Sequence, residues 1–361
     1  MPEVVKSGHQ QRNVEEQEKE LWHVNRNNTF SQGRSNVMKV DSFDWVRGVS
    51  YIPTYATDFR EAWVNFDTKV VDRELGFAKR IGFNAIRIWL HCHAYVENPK
   101  EMVENVERFL KLCDKYEFKV ILVLFNNDGL EWDLRSPGPD KLGKENWPQY
   151  EKYMQDIISP HIGDDRIMMW ETMNEPFIAP ILLKMRSRWK QDQTTVQNVI
   201  RLLEILPEND KKTILDFLKH CYSCIKSVDK NSLITIGVAR SKAVSLVENF
   251  EDIISFHSYE ADPESLKAEL TEMKNKAKSL GKPVLLTEWG SSISSRPLAV
   301  TSGGQLQYYE RIMPVVMQAE VGWFIWSLMI GIEPYAFQGL VHMNGVERPA
   351  VKVVRNFLMG K

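Results

Sequence analysis

Cysteine is scarce in this chain, long apolar runs are missing, and charge of either sign is barely in excess. Four cysteines in 361 residues, at 92, 113, 221 and 224, are too few and too scattered for a disulfide framework, so free thiols are expected. The longest unbroken apolar runs, such as VILVLF at 120–125, fall far short of the roughly 20 residues that cross a bilayer. A formal net charge of −2 with no large basic block leaves nothing to hold nucleic acid or an anionic membrane. There is no GxGxxG turn and no P-loop to cradle a nucleotide phosphate. The first 20 residues, MPEVVKSGHQQRNVEEQEKE, contain no apolar core of a secretory signal. A cytoplasmic protein is therefore the expectation, or a secreted one if a leader has been trimmed.

What remains is a well-cored globular composition, 43% hydrophobic and 26% charged. Residues 1–40 are polar and aperiodic and are expected to form a partly flexible extension. From about residue 43 a rhythm sets in. Short, nearly continuous apolar runs occur at 45–51, 85–90, 119–125, 166–170, 232–238, 252–257, 283–289 and 322–328, as strands buried on both faces require. Helical patterns with apolar residues at three- and four-residue spacing lie between them, at 72–82, 100–117, 211–228, 263–280 and 304–320, and a closing one at 350–358. Eight strands alternating with helices predict a single (β/α)8 barrel over 41–361. One segment, 177–209, breaks the rhythm and reads as a helical insertion after the fourth strand.

Such barrels place their chemistry at the C-terminal ends of the strands. There the sequence has Arg87 and then His91 and His93 on the second strand, and Asn174 and Glu175 on the fourth. The sixth contributes His257 and Tyr259, the seventh Glu288 and Trp289, and the eighth Trp326. Two glutamates at one rim suit cleavage of a glycosidic bond, one protonating the leaving oxygen and the other attacking or stabilising the anomeric carbon. Arg87 would keep Glu288 ionised, Tyr259 would hold it, and His257 would tune the acid. Asn174 is placed for the sugar 2-hydroxyl, and Trp326 and Trp289 for the flat face of a pyranose. His91 and His93 would line the pocket. No metal or organic cofactor is called for; the expected partner is an oligosaccharide, and the oligomeric state is open.

The motifs NEP at 174–176, HSY at 257–259, TEWG at 287–290, the arginine of NAIRIW and the tryptophan of FIWSLM resemble glycoside hydrolase family 5, the retaining β-glycosidases built on a (β/α)8 barrel. The resemblance runs from about 43 to 360. It implies Glu175 as acid/base and Glu288 as nucleophile. One position departs. Cellulase-type members carry histidine after the third strand, where this chain has Phe125 and Asn126, which shifts the expectation toward mannosidase- or mannanase-like substrates. His91 or His93 is a candidate for the vacated space.

Other readings compete. The HCH of 91–93 also fits the first ligands of a metal-dependent hydrolase, although the later strand ends offer Glu and a single His. CYSC at 221–224 lacks the second pair of a zinc site and fits ordinary helix packing. Trp132 and Trp147 are either sugar platforms or loop packing. A non-catalytic carbohydrate-binding barrel and a transglycosylase share the same residues.

Overall fold

The computed structural model describes residues 42–126, 141–178, 206–291, 301–331 and 336–360, all within the unit Val40–Lys361. The expected extension 1–40, most of the insertion at 177–209, and Trp132 lie outside them.

The elements alternate as the periodicity requires. β1 (Arg47–Ser50) is followed by α1 (Glu61–Val64) and α2 (Thr68–Ile81), then β2 (Ala85–Trp89), α3 (Cys92–Glu97) and α4 (Pro99–Lys115). Next come β3 (Lys119–Asn126), α5 (Trp147–Ile158), β4 (Ile167–Asn174) and α6 (Glu208–Val228). β5 (Ile234–Gly237), the one-turn α7 (Val244–Val247), β6 (Ile254–Ser258) and α8 (Pro263–Leu280) precede β7 (Val284–Trp289), α9 (Ser302–Gln318), β8 (Gly322–Ile325) and α10 (Ala350–Leu358). All eight strands pair in parallel, in the order β5-β4-β3-β2-β1-β8-β7-β6, and the bridge Val238–Phe256 joins the last pair. The unit Val40–Lys361 is a (β/α)8 barrel.

Local chemistry sets the helix ends. The Asp67 side chain caps α2 by accepting from the amides of Lys69 and Val70, and Gly82 ends it at φ 109. Asp262, followed by Pro263, opens α8, and Gly281 closes it at φ 64. Inside the barrel the floor is apolar: Phe43, Val46, Ala85, Ile121, Met169, Leu285 and Phe324 form one buried cluster. Gly48 is needed there, because a Cβ would stand 2.2 Å from the Phe324 ring.

Two elements differ from the sequence expectation. β4 extends four residues past Trp170, through Glu171 to Asn174, because Glu171 and Asn174 find a partner inside the barrel in Arg87. Trp147 opens a helix, with its ring stacked on His220 at 3.9 Å between centroids and its indole N–H on the Leu142 carbonyl. It is packing, not a sugar platform. The four cysteines are free and buried, and Cys221 and Cys224 lie on the packed face of α6. Among the described residues no helix is long and apolar enough to cross a membrane.

Candidate active site

Above the apolar floor the barrel turns polar, and Arg87 is its hub. This side chain is fully buried, so every donor needs a partner. Nε and Nη2 fork onto the Glu171 carboxylate at 2.7 and 2.6 Å. Nη1 reaches Oε2 of Glu288 at 2.8 Å, and Nη2 also meets Oδ1 of Asn174 at 2.6 Å. The guanidinium lies 4.3 Å from the Trp89 ring centroid, a cation–π contact. Burial acts to lower its pKa, but the charges of Glu171 and Glu288 outweigh that and raise it, so it stays cationic.

Strand irregularities aim these groups. The β4–β5 register shifts between Glu171 and Asn174, which lets two residues three apart both reach Arg87 against the usual alternation. The β6–β7 register shifts between Phe256 and His257, pairing His257 with Glu288. Such bulges re-aim side chains next to sites.

Glu288 is pinned from two sides. Opposite Arg87, the Tyr259 hydroxyl donates to its Oε1. Burial, then the Glu288 charge, pushes the Tyr259 phenol well above its ordinary range, so it remains an O–H donor. Glu175 follows β4 with its backbone in the left-handed region, φ 48, a conformation that costs a non-glycine residue about 1–3 kcal/mol. Its amide donates to the Gly237 carbonyl at 2.7 Å, and its Oε1 lies 2.8 Å from Nδ1 of His257. Desolvation lifts the Glu175 carboxyl from 4.5 to about 7, against the opposing charges of Arg87 and Arg240. Desolvation also lowers His257 to about 4, so that ring is neutral at pH 7. An oxygen of Glu175 and one of Glu288 lie within 4.8 Å of each other.

Gly237 makes this arrangement possible. A Cβ there would stand 2.3 Å from Oε1 of Glu171 and 2.9 Å from Nε2 of His257.

Asn174 donates from Nδ2 to Oδ1 of Asn126 at 3.0 Å. Asn126, at the end of β3 where the chain departs from the cellulase pattern, is thus the partner of Asn174. His91 instead caps α3, its Nδ1 accepting from the Ala94 amide at 3.4 Å, and the half-buried His93 ring is 5.9 Å from it. Trp326 stands just beyond β8, edge-on to Trp89 at 5.3 Å, with its indole N–H held by Gln338 at 2.6 Å. It is 8% exposed at the mouth. Trp289 corrects the expectation. It is fully buried against Trp323 at 5.7 Å and Tyr309 at 5.6 Å, because Glu288 and its neighbour point to opposite faces of the strand. Its ring offers no face to a sugar.

Among the described residues two groups of side chains have metal-ligating geometry, Glu107–His161–Asp164 and Glu175–His257–Glu288. Neither includes His91 or His93. The first is filled by the Arg166 guanidinium, 2.8 Å from Glu107 and 2.6 Å from Asp164.

Sequence reasoning missed Glu171, Trp89, Asn126 as partner of Asn174, and Gln338. Glu171 had left a signal, a carboxylate inside the apolar run of β4.

A parallel barrel whose mouth holds two carboxyl groups around a buried arginine is the frame of a clan of sugar-cleaving enzymes. The family model described as Cellulase (glycosyl hydrolase family 5) matches residues 50–331, and the chain belongs to that family. A search of curated proteins gave no match. Among solved structures, a variant of GH5_18 from Streptomyces cattleya in complex with Manb1-4GlcNAc is similar, with TM-score 0.63 and 14% identity, covering 86% of this chain and 79% of that one. An endo-1,4-beta-D-mannanase from Thermotoga petrophila gives TM-score 0.57 and 16% identity over 88% of this chain and 99% of that one. A beta-glucuronidase from Bacteroides uniformis gives TM-score 0.61 and 15% identity over 86% of this chain. The chain spans about a third, 34%, of that protein's length.

Proposed function

We propose that the protein is a retaining β-glycosidase acting on oligosaccharides by double displacement. The observation that carries this reading is the pair Glu175–Glu288, with carboxylate oxygens within 4.8 Å and opposite environments. Retaining pairs stand about 5–5.5 Å apart and inverting pairs about 6.5–9.5 Å, since the latter must admit a water. Glu288, fixed by Arg87 and Tyr259, is the nucleophile that attacks the anomeric carbon. Glu175, with a pKa of about 7, holds the proton that the leaving oxygen takes up. Once Glu288 has become a glycosyl ester it no longer offsets the charge of Arg87. The carboxyl of Glu175 then becomes more acidic and acts as base toward the incoming water. Asn174, oriented by Arg87 and Asn126, presents an amide hydrogen to the sugar 2-hydroxyl, and Trp326 supplies an apolar wall.

A β-mannoside is the preferred substrate in this reading. It rests on the departure from the cellulase pattern at Phe125 and Asn126, and two neighbours of the same fold are a mannanase and an enzyme bound to Manb1-4GlcNAc. The test is hydrolysis of 4-nitrophenyl β-glycosides of mannose, glucose, galactose and xylose, with proton NMR of the first-formed sugar. The β-anomer from the mannoside is expected; the α-anomer would refute retention, and a preference for another glycoside would refute the sugar.

A further inference from the structure

Arg87, Glu171, Glu175 and Glu288 all have side-chain partners at the barrel mouth, and Arg240 beside them has none among the described residues. It stands three residues past Gly237 at the end of β5, half-buried. Among the described residues it forms no ion pair and no side-chain hydrogen bond. Its position is fixed. The Glu175 amide binds the Gly237 carbonyl at 2.7 Å and the His257 amide binds the Val238 carbonyl at 2.8 Å, so this loop leaves the barrel between those two residues. Next to it, the Ser241 hydroxyl donates to one oxygen of Glu269 at 2.6 Å and the Ser258 hydroxyl donates to the other at 2.6 Å. Glu269 thereby clips the end of β5 to the end of β6, with both oxygens engaged by hydroxyls. The guanidinium charge is felt at Glu175 and at His257.

Position in the ring gives the half of the substrate it faces. β5 is separated from β8 by β6 and β7 on one side and by four strands on the other. Arg240 and the Trp326 wall therefore stand on well-separated sectors of the mouth. Glu175 delivers its proton to the leaving oxygen, so a group beyond Glu175, away from Trp326, meets the leaving sugar. A neutral sugar has only hydroxyls to offer there, which match a guanidinium fork less well than an anion does. An arginine fork matches a carboxylate or a phosphate.

We infer that Arg240 binds an anionic group, carboxylate or phosphate, on the leaving sugar, so that the substrate is an acidic oligosaccharide. The inference rests on Glu175 being the acid of the proposed mechanism, and its test is a binding measurement that does not need turnover.

The full chain and its Arg240→Gln and Arg240→Lys variants are titrated calorimetrically with glucose, glucuronate, glucose 6-phosphate and inorganic phosphate. At least one of the two acidic sugars should bind tenfold or more tightly than glucose, and the difference should shrink to within twofold in Arg240→Gln and survive in part in Arg240→Lys. Preference for glucuronate alone identifies a carboxylate, and preference for glucose 6-phosphate alone identifies a phosphate. Equal binding of glucose and both acidic sugars, a preference that persists in Arg240→Gln, binding of phosphate without either acidic sugar, or no binding at all overturns the inference. Thermal unfolding of the variants separates a lost anion from a lost fold. Hydrolysis of neutral glycosides with no acidic preference leaves the proposed mechanism standing and removes only this claim.

Discussion

Oε1 of Glu175 lies 2.8 Å from Nδ1 of His257, and the two groups titrate in opposite directions. Desolvation raises the carboxyl to about 7 and lowers the imidazole to about 4. At pH 6 the pair is a neutral acid beside a neutral base, which leaves one mobile proton where the proposed mechanism needs it. In that mechanism activity requires the proton. The kcat/KM of a glycoside with a poor leaving group should fall as pH rises through about 7, one decade per pH unit. A pH profile measures it; a plateau extending past pH 9 contradicts the assignment.

The same titration bears on stability. The folded carboxyl at about 7 is above its ordinary 4.5, so its contribution is fully present below about 4.5 and is lost as pH rises through about 7. This difference amounts to an upper figure of about 3 kcal/mol. Glu175→Gln should therefore be more stable than the parent at pH 8, with the gap closing below pH 4.5. Urea denaturation at the two pH values tests it. The variant should also lose about 10²–10⁴-fold in kcat.

Glu171 shares Arg87 with Glu288 and takes the larger part, two of the donors at 2.7 and 2.6 Å. Removing it leaves guanidinium donors of Arg87 without their carboxylate partner in a closed interior. Glu171→Ala should destabilise the fold by about 3–5 kcal/mol, and it should lower kcat in the fraction that folds, because Arg87 then swings from Glu288. Denaturation midpoints and single-turnover rates separate the two losses. A stable, fully active variant would show that Glu171 is not needed to aim the arginine.

Trp326 and Trp289 should part company. Trp326, propped by Trp89 and Gln338 at the mouth, should raise KM about tenfold when changed to alanine, an aromatic contact being worth roughly 0.5–1.5 kcal/mol. Trp289, packed behind the strand against Trp323 and Tyr309, should cost about 3–5 kcal/mol of stability in Trp289→Ala, with KM of the folded fraction unchanged. Steady-state kinetics beside thermal unfolding reads both.

That contrast marks how far the sequence could be read. The barrel was legible because buried parallel strands are continuous apolar runs; α2, α4, α6, α8, α9 and α10 all fall on the expected periodicity. Residues at strand ends were legible because the topology brings those ends together, and Arg87, Asn174, Glu175, His257, Tyr259 and Glu288 do converge on one network. Which way a side chain faces was less so. Trp289 looked like a platform from its place beside Glu288, but adjacent strand residues face opposite ways, and a register shift decides which one turns inward. Glu171 was hidden for a related reason. A carboxylate inside an apolar strand is explained only by a partner 84 residues away, and no local pattern encodes that pairing. His91 and His93 sit at the rim by chain position, but α3 begins there and draws His91 into its cap.

The central claim is that Glu288 forms a covalent bond to the sugar while Glu175 supplies the proton. Intact mass after incubation with an activated 2-deoxy-2-fluoro β-mannoside tests it most directly, with the glucose, galactose and xylose analogues alongside and Glu288→Ala as control. The account predicts one sugar adduct, mapped to the peptide carrying Glu288 and missing in the variant. An adduct on another residue, or inactivation with no gain in mass, would contradict it.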